Sequence, residues 1–135
     1  MALLSEIVIK DTIYQYLRGS ALVGAVTGKM YKDSRPSNSK VEDIVISVVA
    51  SDTDQIQQFY VNVKVFVPDT RRQNDMIEDT PRLRQLAGLC LPLLKSAAFS
   101  CFKMRLKKQR IYQKEGEIPF HVISNTLEVK SCSEE

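Results

Sequence analysis

The segment 57–67, QQFYVNVKVFV, decides the fold of this chain. Valine or phenylalanine stands at every second position, which is the period of a β-strand with one buried face. The buried set is Phe59, Val61, Val63, Val65 and Val67. A face that is entirely apolar must pack against helices, so we expect a helical layer on that side of the sheet.

The preceding segment, 42–50, is predicted to pair with this strand. It is rich in β-branched residues, which favours a strand that is buried on much of both faces. The polar cluster Ser51-Asp52-Thr53-Asp54 then breaks the pattern. Two strands joined by a short turn predict an antiparallel hairpin, with 42–50 as a central strand.

Helical signals precede this hairpin. Within residues 4–17 the apolar side chains recur one helical turn apart, with Ser5 available as an N-cap and Gly19 as a stop. Ser20 can cap a second, short helical turn that Gly28 ends. We therefore expect an amphipathic N-terminal helix followed by a short one and a loop.

A further helix is predicted after the hairpin. Thr80 followed by Pro81 is a strong helix start, because the hydroxyl caps free N–H groups and proline suits the first turn. A broad apolar face follows as far as Leu94. Pro92 lies inside this pattern and is expected to kink or shorten the helix.

The C-terminal third is predicted to form a second hairpin. Segment 102–112 alternates apolar and basic residues, a turn with glycine follows at 114–117, and 121–130 alternates again. Segment 131–135 is polar and expected to fray. The fold class predicted for 1–135 is a single α+β domain: an antiparallel sheet of about four strands with two main helices packed on one face.

The composition is that of an ordinary folded domain. Hydrophobic residues make up 44% of the chain and charged residues 26%, far from the composition of disordered chains. The net charge of +3 falls short of the charge density of a dedicated nucleic-acid binder. The longest apolar run near the N-terminus is Ile7 to Ile9, so we expect neither a secretory signal nor a membrane span.

Three cysteines, Cys90, Cys101 and Cys132, are an odd number without metal-ligand spacing. Cys90 lies in an apolar run and is expected to be a buried free thiol. This usage indicates a reducing cytoplasm as the compartment of synthesis.

Residues suited to catalysis are sparse. His121 is the only histidine, which excludes histidine pairs on a metal, and no serine or cysteine nucleophile stands in a recognisable elbow. The carboxylates of Asp75, Glu78 and Asp79 lack the spacing of a calcium loop and indicate a solvated loop. We therefore predict no catalytic residue, no metal site and no cofactor, and a protein that is not an enzyme.

The segment 103–114 is strongly basic. It contains no acid and carries Lys103, Arg105, Lys107, Lys108, Arg110 and Lys114. The first three share one face of the predicted strand, which suits a strand that follows a phosphate backbone. The alternative is an edge strand whose lysines discourage edge-to-edge aggregation.

In its order of segments, the chain resembles the tail terminator, or tail completion, proteins of long-tailed bacteriophages. The resemblance lies in the N-terminal helix leading through 21–24 to Lys29-Met30-Tyr31, the valine-rich strand 61–67, and the closing hairpin from 110–112 to 127–129. It implies a small α+β protomer that assembles into a ring, commonly a hexamer. Such a ring ends the tail tube and joins it to the head connector without catalysing a reaction. Its protomers meet through two different patches.

The same resemblance implies a place in the virion, at the tail or neck, after assembly in the host cytoplasm. The expected partners are further copies of the chain, the tail tube protein, head connector or neck proteins, and DNA as it passes through the channel. Two alternatives stay open: a head-tail joining or neck protein, and a small nucleic-acid-binding accessory domain that uses 103–110.

Two patches are predicted to form the subunit interface of such a ring. They are the charged loop 69–79 and a strand face with tyrosine and phenylalanine among polar residues, as interface cores tend to have. The predicted residues are Tyr60, Asn62, Lys64, Phe66, Arg71, Arg72, Asp75, Glu78 and Asp79. The alternative is that Tyr60 and Phe66 pack under a helix or loop of their own chain. Lys103, Arg105 and Lys107 are predicted to face the channel and its DNA.

Overall fold

The computed structural model describes residues 5–52, 58–72, 75–116 and 118–131, and the side chains of 50–52 and 72 lie outside the description. Within these ranges the chain forms three helices and eight strands. The helices are α1 (Glu6–Arg18), α2 (Ala21–Ala25) and α3 (Thr80–Leu94). The strands are β1 (Met30–Lys32), β2 (Asp43–Asp52), β3 (Gln58–Pro68), β4 (Thr70–Arg72), β5 (Asp75–Ile77), β6 (Ser96–Ala98), β7 (Phe102–Lys114) and β8 (Phe120–Ser131).

Six of these strands form one mixed sheet in the order β1-β2-β3-β8-β7-β6. β1 runs parallel to β2, and the other neighbouring strands are antiparallel. β4 and β5 form a separate two-stranded sheet. The long strands β2, β3, β8 and β7 are therefore adjacent in the middle of the main sheet.

The predicted fold class, an antiparallel sheet of about four strands with two main helices packed on one face, is wrong. Edge strands β1 and β6 extend the sheet to six strands, the parallel pairing of β1 makes it mixed, and α2 is a third helix. A three-residue strand is too short to display a period of two, and its pairing depends on residues far away in the sequence. Pattern analysis therefore missed the two edge strands, whereas the short helix α2, capped by Ser20, was predicted as a helical turn.

The starts of the two long helices follow local capping. Ser5 Oγ accepts a hydrogen bond from the backbone N of Val8 at 3.1 Å. At α3 the cap is Asp79, whose Oδ1 accepts from the backbone N of Arg82 at 3.3 Å. The predicted cap, Thr80, is instead the first helical residue, because the carboxylate one position earlier reaches the same free N–H groups. α3 continues for two residues beyond Pro92.

The main core lies between the helices and one face of the sheet, here called the inner face. Ile13, Leu22 and Leu86, one from each helix, are fully buried in this core. The alternating valines of β3 lie in the same core. The opposite face, called the outer face, carries the intervening side chains of the same strands.

A second, smaller apolar cluster covers one end of the outer face. It contains Val45, Phe66, Phe120 and Val122. The guanidinium of Arg35 lies 4.1 Å from the ring centroid of Phe66 and 4.4 Å from that of Phe120. Arg35 is held there by Asp43, whose Oδ2 is 2.9 Å from its Nη1. Arg35 thus shields these rings from solvent.

Segment 131–135 was expected to fray, and its first residue, Ser131, pairs with Phe102 in the sheet. Residues 132–135 lie outside the described part of the chain. None of the described helices combines the length and the apolar character needed to cross a membrane.

Candidate subunit and phosphate-binding surfaces

The charged connection between β3 and α3 is a two-stranded hairpin, here called the β4–β5 arm (70–77). Thr70 pairs with Ile77, and Arg71 pairs with Met76. The arm is not part of the main sheet. Met76 is 44% exposed and Ile77 is 37% exposed. A lone two-stranded hairpin is marginally stable in water, so the arm needs contacts beyond its own ladder.

Contacts at both ends fix the base of the arm. At the start, the backbone N of Asp69 donates to the carbonyl of Pro119 at 3.1 Å. The buried Asp69 carboxylate also lies 2.7 Å from Nδ1 of His121. At the other end, Asp79 caps α3. The arm is therefore anchored to β8 and to α3 while its apolar side chains stay exposed.

The predicted interface residues in this region divide into two groups. Arg71, Asp75 and Glu78 are exposed, whereas Asp79 is half-buried at the start of α3. The side chain of Arg72 lies outside the described residues. The arm therefore presents charges of both signs beside two exposed apolar side chains.

The second predicted patch, on the outer side of β3, is only partly open. Tyr60, Asn62 and Lys64 are half-buried, and Phe66 is buried in the second apolar cluster. Phe66 therefore packs within its own chain, which was the alternative to its predicted place in a subunit interface. The ring of Tyr60 lies beneath Lys107, whose Nζ is 4.9 Å from the ring centroid. What remains of the patch is polar.

A β-bulge places more cations on the outer face than the alternation of the sequence indicates. Leu106 pairs with Leu127 and Lys108 with Thr126, so Lys107 is an extra residue in β7. Without the bulge, the side chains of Lys108 and Arg110 would point to the inner face. With it, the outer side of β7 carries Lys103, Arg105, Lys107, Lys108, Arg110 and Lys114.

Two neighbouring strands add to this charge. Lys64 of β3 and Lys130 of β8 also lie on the outer face, and Lys130 is directly opposite Lys103. These two residues and the six of β7 are here called the outer-face cations. All except Lys64 are exposed. The sequence alone did not predict that these eight cations share one face, because this arrangement depends on the register between the strands.

Glu128 is the acidic partner on the outer side of β8, and both of its oxygens are engaged. Oε1 accepts from Nε of Arg105 at 2.8 Å, and Oε2 accepts from Nε2 of Gln58 at 2.6 Å. The hydrogen bond from Arg105 lowers the pKa of Glu128 below its ordinary value, although burial opposes the shift. The side chain of Arg105 remains 65% exposed, so its outer N–H groups face solvent.

A groove of about 840 Å³ lies at the β6 end of the outer face. Its lining includes Lys103, Arg105, Lys130, Ser96 and Ser131, together with Glu128. Ammonium, guanidinium and hydroxyl groups are donors that suit an anionic ligand. The groove is thus continuous with the outer-face cations.

His121 and Cys90, the residues considered for catalysis, make contacts that belong to the fold of the chain. His121 pairs with Asp69 at the base of the arm. Cys90 is the buried free thiol that its apolar run predicts. Burial raises its pKa to about 11, against a smaller opposing effect of the hydrogen bond from Asn125. In the described ranges, no three side chains of His, Cys, Asp or Glu converge as a metal site.

Comparison with known proteins adds no relative: no protein-family model matches the chain, and no curated protein matches it. The β4–β5 arm and the outer-face cations are therefore the features of the chain that bear on its function.

Proposed function

We propose that this protein is a structural component of a bacteriophage virion. It is a protomer of a closed ring, by family resemblance a hexamer, that ends the tail tube and joins it to the head connector. The ring acts by geometry: it matches the last layer of the tube, blocks further addition and presents a new face to the neck.

The β4–β5 arm is the observation that carries this proposal. The arm stands outside the main sheet and exposes Met76 and Ile77. Its base is nevertheless fixed by Asp69 and Asp79. The base of this hairpin is fixed, but its apolar side chains are exposed. Such a hairpin gains stability when it docks on another molecule.

A ring needs a heterologous contact, in which the arm of one protomer meets a different patch on the next. We place the receiving patch on the outer side of β3, where Tyr60, Asn62 and Lys64 are half-buried. The exposed carboxylates of Asp75 on the arm and of Glu78, the residue after it, complement the charge of Lys64. Phe66 is buried in the second apolar cluster and is not part of this patch.

Size-exclusion chromatography with light scattering tests the assembly. We expect a ring, either of the chain alone at high concentration or after addition of tail tube protein. A strict monomer under both conditions would contradict the proposal.

A pair of double variants tests the role of the arm. Met76→Ser with Ile77→Ser should abolish the ring because it removes the apolar contacts of the arm. The matched control is Val49→Ser with Leu91→Ser, which replaces two exposed apolar residues elsewhere, 57% and 46% exposed. An equal loss of ring in the control would reject the arm as the interface.

Electron microscopy of the ring mixed with purified tail tubes or with connector rings tests its position. We expect density at the end of the tubes. Binding to connectors alone would identify a neck protein and not a tail terminator.

A further inference from the structure

We infer that the outer face binds the phosphate backbone of duplex DNA without reading its base sequence. The inference concerns the β7–β8 half of this face and holds for a monomer as well as for a ring. It rests on four features: uncompensated charge, a like-charge pair, the bulge in β7, and the composition of the face.

The charge of the outer face is not neutralised within the described part of the chain. Arg105 is the one outer-face cation that forms an ion pair there, with Glu128. Glu128 also attracts Lys107 and Lys130 through space, but one carboxylate that is already paired with Arg105 does not balance the charge of the others. The remaining cations therefore present positive charge to solvent, although the chain as a whole carries only +3.

Lys103 and Lys130 are directly opposite each other in the ladder. Like charges at such positions repel and destabilise a sheet. A phosphate between them removes this repulsion. Both line the groove, where the hydroxyl of Ser96 is a further donor. The groove is thus the point on the face where we expect one phosphate to be held most tightly.

The bulge aligns the cations along a single strand. β7 from Lys103 to Lys114 is about 37 Å long at ~3.4 Å per residue, close to one turn of duplex DNA at roughly 34–36 Å. Without the bulge at Lys107, Lys108 and Arg110 would face α3. The row therefore offers contacts to phosphates over about one helical turn.

The composition of the face favours duplex DNA over the alternatives. Single-strand binders stack bases on free aromatic rings, but Tyr60 lies under Lys107 and Tyr112 packs against the second apolar cluster. Protein interfaces are anchored by buried aromatic or aliphatic residues, whereas every outward-facing residue of β7 from Lys103 to Arg110 is a cation. Lysines predominate, and these bind phosphate as point charges without base specificity.

Fluorescence anisotropy with labelled 20-base-pair duplexes tests the inference. Two unrelated sequences should bind equally. Contact with about five phosphates predicts a loss of affinity of roughly 500-fold between 50 and 200 mM salt. A single strand of the same length and polyglutamate should bind more weakly than the duplex.

Charge reversal identifies the surface. Lys108→Glu with Arg110→Glu should lower affinity at least about 10-fold and reduce the salt slope by about 2. The control, Arg84→Glu with Lys95→Glu, makes the same charge change at two exposed positions of the helical layer. It should lower affinity much less. Circular dichroism confirms that each variant is folded.

Several outcomes would overturn the inference. These are no duplex binding at 50 mM salt, an equal loss in the control variant, preference for the single strand, or tighter binding of polyglutamate. The last would assign the face to an acidic protein. Because ring formation is measured separately, failure of DNA binding leaves the proposed function standing, and loss of the ring leaves DNA binding testable on the monomer.

Discussion

Arg82 of α3 holds Glu42, the residue before β2, through two hydrogen bonds. Nε donates to Oε2 at 2.6 Å, and Nη2 donates to Oε1 at 2.7 Å. Glu42 is 7% exposed, and its Oε1 also accepts from the backbone N of Thr27 at 3.2 Å. This pair joins three segments that are distant in sequence, on one side of the core.

Loss of this pair should destabilise the protein. Glu42→Ala removes the carboxylate that faces the Arg82 guanidinium in a partly buried site and leaves it the neutral acceptors Gln85 and the carbonyl of Ala25, so we expect a loss of about 2–4 kcal/mol. Urea unfolding followed by circular dichroism measures it. The double variant with Arg82→Ala should lose less than the sum of the single variants, and Glu115→Ala, at an exposed turn, should lose almost nothing. Strict additivity would show that the pair does not act as a unit.

Gly28 is required by close approach of two backbone segments. A Cβ at this position would overlap Oδ1 of Asp43 and the carbonyl of Glu42. Gly28 also donates its backbone N–H to that carbonyl at 2.7 Å. Gly28→Ala should therefore cost about 2 kcal/mol or more, measured as a lower midpoint of urea unfolding.

Gly24 supplies the control for that substitution. It lies in α2, and a Cβ there meets nothing within 4 Å. Gly24→Ala should leave stability unchanged or raise it by up to about 1 kcal/mol, because alanine favours helix. Similar destabilisation by both substitutions would contradict the close approach at Gly28.

Glu128 should contribute to the acid sensitivity of the fold. Since Arg105 lowers the pKa of Glu128 in the folded protein, its stabilisation is fully present above the ordinary value of 4.5. It is lost as pH falls through the lowered folded value. Urea unfolding between pH 7 and pH 3 should show a shallower decline in Glu128→Gln than in the wild type. Glu115→Gln should follow the wild type.

Cys90 should resist thiol reagents in the folded protein. Its burial and its pKa of about 11 keep it protonated at neutral pH. In a variant with Cys101→Ser and Cys132→Ser, a maleimide should label Cys90 only after addition of denaturant. Rapid labelling of the native variant at pH 7.5 would show that the thiol is accessible.

The long strands and helices could be predicted from the sequence because the patterns that indicate them involve residues close together in the chain. The valine alternation of 59–67 requires one buried strand face, whatever the rest of the chain does. The capping of α1 by Ser5 and the helix start near Pro81 likewise involve neighbours within one turn. Glu128 gave no such signal, since its partner Arg105 is 23 residues away in sequence.

By itself, the sequence determined which faces of the long strands and helices are apolar, because periodicity of side chains decides that residue by residue. Only the tertiary structure decided that β1 and β6 extend the sheet and that 70–77 stands apart from it as an arm. It also decided that Lys107 is a bulge, which brings Lys108 and Arg110 to the same face as Lys103. The reason is physical: strand pairing and register depend on the partner strand, and one extra residue in one strand reverses the direction of every side chain beyond it.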